Sequence, residues 1–205
     1  MAKSSSATQA AGAETRARIV AATIATLREE GIVATSARAI AKRGDFNQAL
    51  IFYHFGSVTD LLVAAAVEES RERAERYAPR LAEVHTLPEL VAVARDLHEQ
   101  EMAEGGLAVL TQLLAGSASS PELRKGILDA FGAWMGHVDA AVARTLEGTA
   151  YASVVSTADM SHAISALFFG IELLHNLDPD SERAQSLFGT FEAVATLLET
   201  LIRPS

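Results

Sequence analysis

The chain has 205 residues, 17 of them basic and 26 acidic, for a formal net charge of −9, and it contains no cysteine. Hydrophobic residues make up 49% and charged residues 21%, the balance of a globular protein; the lack of cysteine excludes disulfide frameworks, thiolate metal sites and cysteine nucleophiles. The opening MAKSSSATQAAGA has no apolar core segment and reads as a flexible tail over residues 1–13 rather than a secretory signal. No apolar run approaches the ~20 residues that span a bilayer, so a cytoplasmic protein with no membrane partner is expected.

Charge is unevenly spread. Residues 1–56 hold seven basic and four acidic side chains, whereas residues 57–205 hold ten and 22. An anion-binding head on an acidic body would show this asymmetry, although a weakly basic solvated surface fits it as well.

In chain order, nearly everything reads as helix. The first helix spans about 14–30, with Ile19, Ala22, Thr23 and Leu27 on one stripe and Gly31 where a C-terminal cap belongs. Thr35 or Ser36 can cap a short second helix that runs through Arg43. Gly44-Asp45-Phe46 then makes a tight turn, and Asn47 caps a third short helix carrying Phe52, Tyr53, His54 and Phe55. Ser57, with Asp60 in capping-box spacing, opens a longer helix ended near Tyr77 by Pro79. Further helices are expected near 87–103, 106–117, 121–147, 156–177 and 181–202, with breaks at Leu87-Pro88, Gly105-Gly106, Ser119-Ser120-Pro121, Gly148 and Asp178-Pro179-Asp180. The expected fold is all-α, with about nine helices.

Three short helices with a glycine turn between the second and third form a helix-turn-helix pattern. Such a unit lays its last helix in the major groove, N-terminal residues towards the bases. Asn47 and Gln48 can pair with adenine, and Ala49 or Leu50 can touch a thymine methyl. Tyr53 and His54 can donate to phosphates, which set register without reading sequence. From spacing alone, a helical hairpin with an aromatic plug fits equally well.

The string RARIVAATIATLREEGIVATSARAIAKRGDFNQALIFYHFGSVTDLL, residues 16–62, resembles the DNA-binding head of the TetR family of transcriptional regulators. The matching parts are RIVAAT…G in the first helix, ATS.R.IAKR in the second and NQALI.YHFGS…LL across the third and fourth. The resemblance covers about a quarter of the chain. It implies a head over residues 14–56, and a body over 57–205 that binds a small-molecule effector and forms a homodimer on a two-fold symmetric operator. The DNA-contacting set expected is Thr35, Ser36, Arg38, Asn47, Gln48, Ala49, Leu50, Tyr53, His54 and Ser57. No cofactor or metal is implied.

Three positions depart from the family pattern. Val58 stands where a lysine is usual, which removes one phosphate contact per subunit, although a helix N-terminus at Ser57 still offers backbone amides to an anion. Ala39 replaces the usual acidic residue, leaving Ser36 half of a capping box. Gly44-Asp45-Phe46 replaces Ala-Gly-Val; if Asp45 needs positive φ, aspartate tolerates it better than most residues.

The last two helices have apolar sectors wider than one buried face requires. Ile164, Leu167, Phe168, Ile171, Leu187, Phe191, Val194 and Leu198 are the expected dimer residues, a central position for both helices being the other explanation. For an effector pocket the candidates are His98, Met102, Leu110, Phe131, Trp134, Met135 and His137, with Thr111 and Phe169 beside them. A methionine or aromatic stripe at this spacing is more often core.

Two other classes compete. Glu172-Leu173-Leu174-His175 matches the Glu-x-x-His of carboxylate-bridged metal bundles, but such sites need a second Glu-x-x-His and two more glutamates, and the only other histidine three residues after an acidic one is His162, after Asp159. There is no phosphate loop, H-E-x-x-H or G-x-S-x-G, so no enzyme is expected. A DNA binder without an effector would not need a body of about three quarters of the chain.

Overall fold

The structure is a computed structural model and describes residues 2–104 and 108–202. These residues form α1 (Ala2–Ala34), α2 (Ala37–Gly44), α3 (Ala49–Phe55), α4 (Val58–Ala82), α5 (Leu87–Glu104), α6 (Ala108–Ser117), α7 (Pro121–Leu146), a 3-10 turn (Ala150–Ser153), α8 (Thr157–Leu177) and α9 (Arg183–Ile202). No strand occurs among the described residues, and no single helix among them is long and apolar enough to cross a bilayer. The expected break at Gly105-Gly106 lies outside the described residues.

Two boundaries differ from expectation. α1 begins at Ala2, where a flexible tail to residue 13 was expected; the Ala-rich opening has high helix propensity and no proline. α4 continues past Pro79 to Ala82. A proline in the last turn removes one donor only, and burial of Tyr77, Leu81 and Val84 holds that turn in place. Arg144 caps it, Nε donating to the Val84 carbonyl at 3.1 Å and Nη2 to that of Leu81, so orphan carbonyls are satisfied.

Contacts divide the chain into two compact units. One runs through Ser70 and takes in Ala108–Phe131; the other takes Arg71 to the end of α5 and the described residues from Gly132. The first unit thus extends beyond residue 56. Its core has two parts. Ile19 and Ala22 of α1 meet Ile40, Ile51 and Leu61, with Phe46, Leu50 and Phe55 packed against them. Leu27 meets Leu62, Ala65 and Ala66 of α4 together with Val109, Leu113, Leu123 and Ile127. Three short helices cannot bury both ends of the α1 stripe, so α4, α6 and the start of α7 cover the rest.

The α1 stripe is buried as its spacing requires, including Thr23 and Thr26. Their hydroxyls donate to the carbonyls of Ile19 and Ala22, at 2.8 and 2.7 Å. α1 breaks at Gly31, which has φ 76°, and the Ile32 N–H there donates to Gln112 Oε1 at 3.0 Å. Ser36 caps α2, its Oγ accepting from the Ala39 N–H at 3.2 Å. Asp45 adopts the left-handed conformation, φ 51° and ψ 55°, the condition the turn sequence had left open. Gly44 is required by proximity: a Cβ there would fall on the Phe46 ring and lie 3.0 Å from the Cβ of Ala22.

In the second unit, Thr86-Leu87-Pro88-Glu89 forms a capping box at the expected Leu87-Pro88 break. Glu89 Oε2 accepts from the backbone N–H groups of His85 and Thr86 at 2.8 and 3.1 Å, and Thr86 Oγ1 accepts from the Glu89 N–H at 3.3 Å. The His85 N–H bond is the main reason that the Glu89 carboxyl is held below its usual range. A carboxylate with a depressed folded-state pKa stabilises above its unfolded pKa and loses that contribution as pH falls through the folded value. Glu89→Gln should therefore lower the unfolding temperature at neutral pH, and the difference from wild type should shrink once pH drops below the ordinary glutamate value of about 4.3 and vanish below the depressed folded value. A difference that persists in acid would assign the effect to lost packing.

Deeper in this unit, Arg73 clamps the buried Glu101 through Nε and Nη2, at 3.0 and 2.9 Å, and the Tyr77 hydroxyl donates to the same carboxylate at 2.7 Å. Burial first, then this bond to Glu101, raises the Tyr77 phenol above its ordinary range. The ring of Trp134 meets Tyr77 edge-on, centroids 6.2 Å apart.

Candidate nucleic-acid interface and body cavities

α3 has an inner and an outer face. Ile51 is buried, and Leu50 and Phe55 pack against the head core. Arg16 fastens this face to α1, with its guanidinium 4.2 Å from the Phe55 ring centroid and Nη1 donating to the His54 carbonyl. Asn47, Gln48 and Ala49 are exposed at the start of the helix, and beyond them Phe52 is 50% and Tyr53 81% exposed. His54 is half-buried with its ring edge-on to Tyr53 at 4.9 Å.

The hydrogen bonds sort the expected DNA-contacting residues. Asn47 Oδ1 accepts from the Ala49 N–H at 2.9 Å, so the side chain is committed to opening α3 and its Nδ2 remains to donate. Gln48 adopts helical φ/ψ and makes no side-chain cap bond; its amide has both donor and acceptor to offer an adenine edge. Two of the residues turn inward. Thr35 is buried, with its hydroxyl donating to the Gly31 carbonyl at 2.7 Å. Leu50 is half-buried and packs against the head core of Ile19, Ile40, Ile51 and Leu61 rather than facing fully outward. Ser57 Oγ accepts from the Asp60 N–H at 3.0 Å and donates to Asp60 Oδ2 at 2.6 Å, which leaves the backbone as its means of holding a phosphate.

The head's basic residues are largely occupied. Arg18 donates to the Gly44 carbonyl at 3.3 Å, Arg28 pairs with Glu69 at 3.3 Å, and Arg43 pairs with Glu29 and Glu30 at 2.8 and 3.0 Å. The two glutamates raise the Arg43 pKa. Arg38 is exposed on α2, as is Lys42 one turn on, and both line a depression of about 550 Å³ with Ser36 and Ala39. Lys42 and Phe52 were absent from the sequence-derived set. The i, i+4 spacing of Arg38 and Lys42 on a short helix was the signal for the first; nothing in the spacing marked Phe52 as outward. Val58, in place of the usual lysine, is half-buried against the Leu27–Leu62 cluster.

The effector candidates separate. His98 and Met102 line a cavity of about 370 Å³ together with His175 and Phe188. Leu110 packs against the core of the first unit, and Phe131 belongs to that unit. Trp134 is buried on Tyr77, and Met135 and His137 are half-buried on the same helix. The Glu-x-x-His of α8 is drawn into a different contact: His98 Nδ1 meets Glu172 Oε1 at 2.6 Å, both groups buried. Among the described residues no group of three metal-ligating side chains is suitably placed.

α8 and α9 carry an apolar surface. Leu167, Leu187, Val194 and Leu198 are exposed, and beside them Leu177 is 76% and Leu201 70% exposed. Ile164, Phe168 and Phe191 are half-buried along a groove of about 210 Å³. Ile171 differs from the expected dimer residues, being buried against Ala184 and Phe188 within the chain.

Comparisons with known proteins agree with this arrangement. The family described as "Bacterial regulatory proteins, tetR family" matches residues 19–65. An uncharacterized HTH-type transcriptional regulator of Mycobacterium tuberculosis is 30% identical over 139 residues, 66% of this chain and 69% of the relative. In fold, the chain resembles the transcriptional regulator FadR from Bacillus subtilis, solved with stearoyl-CoA (TM-score 0.68, 18% identity, 87% of this chain and 96% of that one). It also resembles a Saccharomonospora viridis protein assigned as a transcriptional regulator and solved with choline (TM-score 0.70, 18% identity, 87% and 95%). The helix-turn-helix head and the residues matched across it identify the chain as a member of the TetR family, a DNA-binding transcriptional regulator and not an enzyme.

Proposed function

We propose that the protein is a homodimeric repressor, released from a two-fold symmetric operator by a small-molecule effector. The head, residues 14–56, reads DNA, and residues 57–205 dimerise and bind the effector. The observation that carries this reading is the presence in one chain of an outward, uncommitted α3 face and an unpartnered apolar face on α8 and α9. A monomeric soluble protein rarely exposes an apolar face of this kind, and two-fold pairing is the commonest way to cover one. The complexes of fold relatives with stearoyl-CoA and with choline support effector control, since proteins of this fold are found with small organic ligands.

In the mechanism, the protein exchanges between two states. One holds two copies of α3 at half-sites about 34–36 Å apart, or a multiple of that spacing; the other does not. The effector releases DNA by the difference in its affinity for the two states and by nothing else. α4 links head and body covalently and is the element through which the difference is passed.

Selection of binding sites from a random duplex pool by the full-length protein tests the reading, and a two-fold symmetric site is expected. On that site Gln48→Ala should relax discrimination at one base pair per half-site, at a cost of about 1–3 kcal/mol. Unchanged specificity would remove Gln48 from the readout. Val58→Lys should tighten binding at low salt and steepen the salt dependence by about one unit per subunit, because a lysine stem can lie along the cluster that Val58 now covers while its ammonium reaches out. An unchanged slope would place residue 58 away from the DNA backbone.

A further inference from the structure

The cavity beside His98 is polar and acidic, unlike the apolar groove along α8 and α9. His98 and Glu99 of α5, His175 of α8, Asp180 and Glu182 of the α8–α9 turn, and Phe188 of α9 all line it. Arg95 is the one cationic side chain among the lining residues, and Glu192 engages its guanidinium at 2.5 Å. Three carboxylates therefore face the space against one neutralised cation.

Behind this rim stands a buried pair. Glu172 is wholly buried and His98 nearly so, and they meet at 2.6 Å. His98 Nδ1 is taken up by this contact, so Nε2 is the ring nitrogen left for a ligand. Glu172 Oε2 and His175 Nδ1 are buried with no hydrogen-bond partner in the protein. Unpaired buried groups of this kind are costly. A positive charge placed in this corner would be attracted both by the Glu172 carboxylate and by the acids of the rim. Aromatic surface adjoins it, since the Phe188 ring lies 5.3 Å from His98 and His175 stands edge-on to His98 at 5.1 Å, and such faces attract cations.

We propose that this cavity of about 370 Å³ binds an organic cation, an ammonium or amidinium, held by the acids at the rim and the Phe188 ring, with Glu172 behind His98. The proposal rests on the effector-control reading only for its regulatory meaning, because the site stands on its own contacts. An anionic ligand would meet Glu99, Asp180 and Glu182 at the entrance, and a neutral one would gain nothing from their charge.

Calorimetric titration of the full-length protein with three ligands of matched shape, phenethylammonium, 2-phenylethanol and 3-phenylpropionate, tests the assignment. The ammonium is expected to bind most tightly and the carboxylate not at all. Glu172→Gln should weaken the ammonium by about ten-fold, as for loss of one negative charge near the bound cation in a poorly solvated setting, and leave 2-phenylethanol unchanged. The rim pair Glu99→Gln with Glu182→Gln, both exposed, should weaken the ammonium in a salt-dependent way, and it decides the matter if Glu172→Gln does not fold. Failure of the ammonium to bind, equal or tighter binding of either other ligand, or indifference of the ammonium to the folded variants would overturn the assignment. Operator affinity measured alongside separates the two readings. Ammonium binding that leaves the operator bound keeps the cation site and removes effector control through it; operator release by the alcohol or the carboxylate alone keeps effector control and removes the cation site.

Discussion

Leu167→Glu combined with Leu198→Glu should yield a folded monomer that has lost operator binding. Both side chains are exposed in the chain and line one groove of α8 and α9, so glutamate at either position costs the isolated subunit little. In the proposed dimer the same positions meet their copies, and four carboxylates would enter an apolar contact, where unpaired charge and like-charge juxtaposition each cost several kcal/mol. DNA binding follows assembly. A second half-site held by a linked head acts at an effective concentration on the order of millimolar, so losing the linkage should cost about 10²–10⁴ in operator affinity. Sedimentation of wild type and variant, with operator titration on both, checks the result. A double variant that still sediments as a dimer would move the interface off this groove.

Gly44→Ala should unfold the head more readily, while Asp45→Gly should be neutral or stabilising. The two residues are adjacent in one turn, and their roles differ. At Gly44 the difficulty is steric: the added methyl falls on the Phe46 ring, with Ala22 behind it, and Phe46 is part of the cover over Ile19, Ile40 and Ile51. Either the ring swings out and exposes that core or the turn opens, and overpacking of this kind costs about 1–3 kcal/mol. At Asp45 the difficulty is conformational, since a side chain with φ 51° gives up roughly 1 kcal/mol or more relative to an unstrained residue, and glycine removes that strain. Because α2 and α3 are set by this turn, Gly44→Ala should lose operator affinity along with stability. Chemical denaturation of both variants, with operator binding, measures the pair. A tolerated Gly44→Ala beside a damaging Asp45→Gly would reverse the assignment of the two roles.

Much of the head was legible because its signals are local. The Ile19, Ala22, Thr23, Leu27 stripe and the turn at Gly44-Asp45-Phe46 depend on a few neighbouring residues and on backbone stereochemistry, while the choice of Ser36 over Thr35 as cap and the left-handed Asp45 emerged only in the structure. Pro79 misled because proline forbids a helix interior but not a last turn fixed by Arg144 from 65 residues further on. The capping box at Thr86 and Glu89 was passed over because Leu87-Pro88 reads first as a break, although its spacing was available.

The candidate sites divide in the same way. Asn47 and Gln48 were found by residue type and position, but their difference comes from a hydrogen bond that one makes and the other does not. Periodicity on a seven-residue helix could not say that Leu50 turns inward and Phe52 outward, since its few apolar residues fit either face. His98, Glu172 and His175 lie on two helices 74 residues apart, and no spacing rule joins them.

The sequence by itself determined the all-α fold and the wide apolar faces of α8 and α9, because helix periodicity, caps and turn chemistry act over a few residues; the family was legible only through the resemblance of residues 16–62. Only the tertiary structure decided which basic residues remain for DNA, which apolar residues stay uncovered and which buried acid faces a histidine beside a cavity. Those outcomes depend on which distant side chains meet, and it is packing, not local propensity, that brings them together.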